Sequence, residues 1–540
     1  MQSSTEKPTH PVRRFYLTVS GTVKPDWVLG AIFLLVTALY AGLMISDRVP
    51  TLGLLGLAAL WLVYALLGGR LSFATPLDLP ILVLLVLLPV SLFISIDHDL
   101  SLPKIYGLIL GIALFYLTLN AIRDYQRLQL AILALILLAG ATALLGLLSA
   151  NWGRSRFSFL PSIQSRLLGL LFLSAFTPGT REINVNTIGG ALTFFVPLLG
   201  SLLLDGGAFF RKYLEHKPGR RQYRIAYKLL LSLTLLFVLG ILLATFSRSA
   251  FVGCAAGILL LLFIKDRRFL WLIPILGVNA VLFFYPFGGS DLIAFFNVLD
   301  TAQESTILGR VELWRYAAAM IQDFPLTGGG IFTYSKMLSE VYTFNPFAIQ
   351  SNPFFHPHNL YLSVAFDLGI PGLVLYMALL SSFVAMAWRT LNRGRSIIKV
   401  LIIGLVCGMF GHHAFGVLDA NALGTKLGAT LWIFLGLMAA LYTHKRHRGW
   451  RPTSRLDTTA DREIILARLL DLLVGLGGWV LISLVAVTFI TLNISVGLAL
   501  ALLGGIGLGL FLTLRFERFN NERRAEDGLH SNECSTRMAA

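Results

Sequence analysis

Two histidines separated by one proline, in His356-Pro357-His358-Asn359, stand at the lip of a long apolar run. The seventy or so residues before them, from about Gly288, form a polar island that carries Arg310, Arg315 and the glycine run Gly328-Gly329-Gly330. Imidazole exchanges a proton near neutrality and suits general-base work. A guanidinium grips a phosphate with two parallel N–H groups. A chain this apolar holds few polar side chains, so their gathering at one edge points to chemistry on a charged substrate at the water–lipid boundary. Two histidines two residues apart would also suit a metal ion. However, Asp291, Asp300, Glu304, Asp323 and Glu340 complete no D-x-D or H-E-x-x-H pattern, and no metal is assigned.

Each of the other polar positions has a plain reading beside the functional one. Arg248, in Ser247-Arg248-Ser249, joins two apolar runs with almost no loop and is either a snorkelling helix-end marker or an anion-binding group at a membrane edge. In Leu308–Met320, apolar Val311, Trp314 and Ala318 recur at helical steps, which predicts an amphipathic surface helix with Arg310 at its anion-favouring start. Glu312 and Arg315, three apart, could simply pair. No Lys-Ser/Thr follows Gly328–Gly330 as a nucleotide loop requires, so a turn is expected there. Asn359 fits a helix cap. His412, His413 and Asp419, near the outer end of a later apolar run, could meet the site or, for the histidines, only bond between helices.

The elements that must position these groups are membrane helices. Hydrophobic residues make up 56% of the chain and charged residues 13%. The apolar residues fall into fourteen runs of about twenty, the length that crosses the hydrocarbon core. They lie near 27–46, 50–68, 78–96, 104–120, 128–149, 186–204, 227–246, 249–265, 269–287, 359–390, 397–418, 427–443, 463–491 and 493–514. Backbone groups in lipid must be satisfied internally, which makes these runs helices and the fold an all-α polytopic membrane protein. Leu167–Phe176 is too short to span and reads as re-entrant or interfacial.

The net charge of +16 is a matter of topology rather than of nucleic-acid binding. Basic residues fill alternate loops, among them Arg211–Lys228, Lys265–Arg268, Arg389–Lys399, Lys445–Arg462 and Arg515–Arg524. This positive-inside pattern predicts both termini in the cytoplasm and the island, 288–358, outside. The segments in order are a cytoplasmic start (1–26), nine spans (27–287), the island, three spans (359–443), a basic cytoplasmic loop (444–462), two further spans (463–514) and a cytoplasmic tail (515–540). The first span lacks a cleavage site and reads as an uncleaved anchor. The polar tail after about Phe516 has a disordered composition. Cys254, Cys407 and Cys534 form no disulfide or zinc spacing.

Taken together, these motifs resemble the O-antigen ligase and polymerase superfamily of bacterial envelope glycan enzymes. That family carries His-Asn/Ser/Gln, nine residues, Gly, two residues, Gly; here His358-Asn359 is followed by Gly369 and Gly372. Its outer loop has Arg-x-x-x-Trp running into Pro-Leu-Thr-Gly-x-Gly, matched by Arg310–Trp314 and Pro325–Gly330. The Ser-Arg turn matches Ser247–Ser249, and an asparagine near Asn184–Thr187, such as Asn186, is also typical. The likeness covers about residues 180–420; the pair of spans at 463–514 lies outside it.

The resemblance implies transfer of a glycan from an undecaprenyl-type polyprenyl diphosphate carrier to an acceptor hydroxyl on a glycan, lipid or protein. The reaction would take place on the outer side of the cytoplasmic membrane, without nucleotide, metal or other cofactor. His358 would be the base of an inverting displacement. Arg248, Arg310 and Arg315 would hold the diphosphate, and His356 would orient His358 or touch phosphate. Chain polymerases and protein O-oligosaccharyltransferases share these motifs. A transporter or flippase for lipid-linked sugars is the alternative of a different class, although Asp367 and Asp471 are nearly the only acids inside the runs.

Overall fold

The computed structural model describes residues 24–46, 49–68, 71–150, 152, 159–170, 183–204, 220–271, 307–342, 356–392, 396–420, 423–425, 427–444 and 458–539. They form helices α1 (Pro25–Ser46), α2 (Thr51–Gly68), α3 (Asp78–Ile94), α4 (His98–Ala121), α5 (Tyr125–Ser149), α6 (Phe159–Leu170), α7 (Val185–Leu192), α8 (Phe195–Leu204) and α9 (Arg220–Ala244). The series continues with α10 (Arg248–Lys265), α11 (Ile307–Asp323), α12 (Tyr334–Glu340), α13 (Leu360–Leu391), α14 (Ser396–Leu418), α15 (Ala429–His444), α16 (Thr458–Leu492) and α17 (Ile494–Ala539).

Among the described residues, ten helical stretches are long and apolar enough to cross a membrane. Three shorter apolar helices, Thr51–Leu67, Asp78–Ile94 and Ala429–Thr443, coincide with expected spans. The expected span 269–287 lies outside the described residues beyond Trp271. The run 186–204 is broken into α7 and α8 by a turn at Thr193-Phe194. The tail expectation is corrected: α17 continues unbroken to Ala539. Its Arg, Glu and Ala residues after Phe516 are good helix formers, and lengthening an existing helix needs no new nucleus.

The caps explain where the helices at the site begin. Asp97 accepts from Asp99 N and Leu100 N, Ser247 from Ala250 N, and Asn359 from Tyr361 N and Leu362 N. Short polar side chains at these positions satisfy amide groups that a helix start leaves open. Helix direction then puts the end of α3 and the starts of α4, α10 and α13 on one face. The basic ends, with Arg123, Lys265 and Arg389, lie on the other.

Helix α13 is the hub. It packs against α3, α11, α14, α15, α16 and α17. It is broken at Gly369, whose φ is 69° and ψ −178°, and the segment after α11 fills the break. Gly329 N donates to Phe366 O at 2.8 Å, and Ile370 N donates to Pro325 O at 2.8 Å. Ser91 Oγ on α3 donates to Asp367 O and accepts from Ile331 N. Gly328 and Gly369 pass so closely that a Cβ on Gly369 would lie 2.4 Å from Leu326 O. The glycine run is therefore a turn, as expected, and a turn that is threaded into a membrane helix.

The last two helices are not peripheral. Gly505 and Gly509 of α17 lie against the α13 backbone, where Ser382 Oγ donates to Gly509 O at 3.0 Å. Trp479 Nε1 of α16 donates to Pro371 O at 3.1 Å, just past the break. Arg389 at the far end of α13 pairs with Glu517 at 3.1 Å. Small residues allow this close approach, and hydroxyl–carbonyl bonds add to it.

If the threaded turn anchors α11, Gly369→Ala should lower the melting temperature of the detergent-purified protein. The cost is about 1–3 kcal/mol for a left-handed alanine, plus the clash with Leu326 O. Gly240→Ala in α9, where a Cβ meets nothing within 4 Å, should leave melting unchanged or raise it slightly. Equal behaviour of the two variants would show that the break carries no such constraint.

Candidate functional site

The site forms where four helix ends meet. Asp419 follows the last turn of α14 and is buried, with its side chain 3% exposed beside a His358 that is 18% exposed. Its Oδ1 lies 3.0 Å from His358 Nδ1 and accepts from Ala420 N at 2.8 Å. Ser249 Oγ, in the first turn of α10, reaches Oδ2 at 3.4 Å and is 3.2 Å from Ser247 Oγ. Asn359 Nδ2 donates to Val417 O at 3.0 Å and so ties the start of α13 to the end of α14.

Burial alone would raise the Asp419 carboxyl. The charge of His358 and its hydrogen bond, with His356 and Arg310 adding to them, outweigh burial and bring it down to about 2. An ionised carboxylate can only accept hydrogen bonds. Opposite a carboxylate, His358 Nδ1 is the donor of the contact, and Nε2 is the ring nitrogen not engaged in it. The geometry is that of an oriented base: carboxylate, imidazole, then space for a reacting hydroxyl.

His356 serves the same group from the other side. Its Nδ1 accepts from His358 N at 3.2 Å, and the two rings pack edge to face at 4.6 Å. Burial, then the neighbouring His358, push the His356 imidazole down to about 3, so it is neutral at ordinary pH. This bond holds His358 in a left-handed backbone conformation, φ 49°, which costs an ordinary residue about 1–2 kcal/mol. Such positions persist where the surroundings over-determine them.

The expected cations divide. Arg310, at the start of α11, acts electrostatically on both His356 and Asp419. Arg248 opens α10, one residue before the Ser249 that touches Asp419. Arg315 lies apart; its side chain is 76% exposed and pairs with Glu312 at 3.5 Å, the plain reading of that spacing. Asn186, in the first turn of α7, stands one turn before Gly189, which packs against Ser247 and Ala250.

His412 and His413 are placed one to two turns deeper, between helices. His412 Nδ1 donates to Gly190 O at 2.9 Å, and its ring stacks on Phe194. His413 Nδ1 donates to Met409 O, and its Nε2 accepts from Tyr376 O–H at 2.8 Å. With both rings engaged in this way, the structure does not bring them to Asp419.

Sequence reasoning missed Lys104. It lies on α4, its Nζ 3.9 Å from the centre of the Phe332 ring, and its charge reaches His356. Phe332 N in turn donates to Asp367 Oδ1 at 3.0 Å, which gives the in-span acid a structural task. The signal was present: a lysine at the non-basic end of a span is as unusual as Arg248.

The ligand atoms of His356, His358 and Asp419 all lie within 4.8 Å of one another and could together hold a metal ion. Binding one through Nδ1 of either histidine would break the His358–Asp419 contact or the bond that holds the His358 backbone. Three ligands with open positions would resemble a catalytic rather than a structural site.

A family model described as O-antigen ligase matches residues 233–377, from within α9 to just past the break in α13. That stretch contains Arg248, Arg310, His356, His358 and the threaded glycines, while Lys104 and Asp419 lie outside it. The chain is 28% identical over 268 residues to an O-antigen ligase of Pseudomonas aeruginosa, covering 49% of this chain and 59% of that protein. It is 32% identical over 139 residues to the exopolysaccharide production protein ExoQ of Rhizobium meliloti, covering 25% of this chain and 30% of that one. Order of motifs, the α11 helix, the histidine-bearing helix start and these matches agree: over its central stretch the chain is similar to the O-antigen ligase family, and it spans less than two thirds of the length of either relative.

Proposed function

We propose that the protein is a glycosyltransferase of envelope polysaccharide assembly. It moves a glycan from a polyprenyl diphosphate carrier to an acceptor hydroxyl on the outer side of the cytoplasmic membrane, with both chain termini inside. The observation that carries this reading is the His358–Asp419 pair, with Arg310 acting on Asp419 and His356, Lys104 acting on His356, and Arg248 one residue before the Ser249 that touches Asp419. A base alone would suit many reactions. A base ringed by cations at the membrane edge suits a leaving diphosphate on a lipid.

In the proposed step the acceptor oxygen attacks the anomeric carbon while its proton passes to His358 Nε2. The bond from that carbon to the diphosphate oxygen breaks, and its electron pair leaves on the lipid diphosphate. Asp419 stabilises the imidazolium that forms. The cations stabilise the charge growing on the leaving group, as preorganised donors do elsewhere. One displacement inverts the anomeric centre. The likeness to both an O-antigen ligase and an exopolysaccharide production protein supports a saccharide donor and fits ligase and polymerase chemistry alike.

Transfer from a purified lipid-diphosphate glycan in detergent tests the reading. His358→Ala should keep donor binding and lower turnover by roughly 10²–10⁴-fold. Asp419→Asn, which keeps the shape but lets Nδ1 lose its anionic acceptor, should also act on turnover. Arg248→Lys and Arg310→Lys lose the two-pronged grip and should weaken donor binding as well. Wild-type turnover by His358→Ala would remove the proposed base. Movement of the lipid-linked sugar between leaflets without transfer would favour the flippase reading.

The metal-free reading has its own test. Activity should survive exhaustive EDTA treatment. Loss on chelation, restored by magnesium or manganese, would instead assign His356, His358 and Asp419 to a metal ion.

For sidedness, cysteines introduced at Ser305 or Ser351 should react with a membrane-impermeant thiol reagent in intact cells, and one at Gln222 should not. The reverse pattern would put the polar island in the cytoplasm.

A further inference from the structure

At the membrane face opposite His358, the last two helices do not close fully onto the bundle. A half-open cavity of about 210 Å³ remains between the start of α3 and the facing Asp471–Leu472 and Leu512–Phe516 turns of α16 and α17. Leu79, Leu472 and Leu512 supply apolar wall, and Asp78, Asp471 and Arg515 supply its polar groups. One turn along α16 the seam does close: a Cβ on Gly475 would lie 2.4 Å from Leu79 Cδ2 and 3.0 Å from Leu512 Cδ2. The cavity is thus a local feature, set where the apolar stretches Leu469–Leu492 and Ile494–Arg518 reach their inner ends.

That depth is where lipid headgroups meet acyl chains and where charged side chains snorkel. The charged groups there are arranged rather than scattered. Arg515 Nη2 pairs with Asp471 Oδ1 at 2.7 Å. Asp78 is held by Thr75 N and Thr75 Oγ1, both at 2.8 Å, and by Tyr116 O–H at 3.2 Å. The lining therefore carries two carboxylates against one guanidinium, so it disfavours a purely anionic headgroup. A ligand that brings both an ammonium and a phosphodiester meets both signs, and its acyl chain meets the leucines.

We propose that this cavity binds one zwitterionic aminophospholipid of the phosphatidylethanolamine type, as a lipid wedge between α3 and the α16–α17 pair. The ammonium faces Asp78 and Asp471, the phosphodiester faces Arg515, and an acyl chain runs along Leu79, Leu472 and Leu512. The site is separate from the glycan chemistry on the other face, and the proposal does not depend on that chemistry.

The test uses the purified, delipidated full-length protein in detergent, with phosphatidylethanolamine and phosphatidylglycerol of matched acyl chains as probes. Phosphatidylethanolamine should raise the melting temperature saturably and bind about tenfold more tightly than phosphatidylglycerol, a difference of about 1.4 kcal/mol. Leu512→Trp, which puts an indole into the cavity, should abolish that shift, and Asp471→Asn should reduce the preference between the two lipids. A photoactivatable phosphatidylethanolamine on the wild-type protein should label the start of α3, the Asp471–Leu472 turn of α16 and the Leu512–Phe516 turn of α17. Equal affinity for the two lipids, an undiminished shift in Leu512→Trp, or labelling confined to other helices would each overturn the proposal. If Leu512→Trp does not fold, the wild-type labelling pattern decides alone.

Discussion

A helix in lipid cannot be opened without replacement partners for its backbone, and α13 is opened at its most important point. The break at Gly369 frees groups that bilayer water cannot satisfy. Pro325–Ile331, a segment from outside the membrane, supplies the partners: Gly329 N for Phe366 O and Pro325 O for Ile370 N. The exchange works in both directions. The helix gains its missing hydrogen bonds, and the segment after α11 gains a fixed attachment inside the bundle. The position of α11, and of Arg310 at its start, follows from that attachment.

The rest of the site is an electrostatic balance struck near the membrane surface. A buried carboxylate needs compensation, and Asp419 receives it from His358, Ala420 N, Ser249 and Arg310. The same contacts orient the imidazole. His356 adds a neutral acceptor under the His358 amide and stabilises a backbone turn that an isolated chain would avoid. The arrangement needs no single strong interaction. It needs α4, α10, α11, α13 and α14 to end at one level, which caps and helix lengths ensure.

Much of this was legible in the sequence because lipid leaves few options. Runs of about twenty apolar residues and the helical spacing of apolar residues in α11 report local physics directly, but the face that α11 buries is Leu313, Ala317, Met320 and Ile321 rather than the expected Val311, Trp314 and Ala318. The helix starts at Asn359 and Arg248 were legible for the same reason. Pairing across the chain was not. Nothing in the spacing of His358 and Asp419, sixty-one residues apart, distinguishes that contact from one with His412 or His413, whose rings instead bond carbonyls and a tyrosine between helices. The break at Gly369 was hidden because a Gly-Ile-Pro-Gly stretch in an apolar run is also compatible with an unbroken membrane helix. Continuation of α17 past Phe516 was hidden because composition scores polarity, whereas a helix already nucleated in the membrane extends cheaply.

Burial of α13 by the last helix pair has a consequence for the order of manufacture. The outer face of α13 is covered by α17 through Gly505 and Gly509 and through the Arg389–Glu517 pair. Between Leu391, where α13 ends, and Ile494, where α17 begins, the ribosome must still add about a hundred residues, which takes on the order of ten seconds at roughly 5–20 residues per second. Until then the partners that bury Ser381 and Ser382 of α13 in the complete structure are not yet made. The bundle is thus completed only by its last helix, and a chain that ended before α17 would leave the face of α13 that Gly505 and Gly509 cover without its partner.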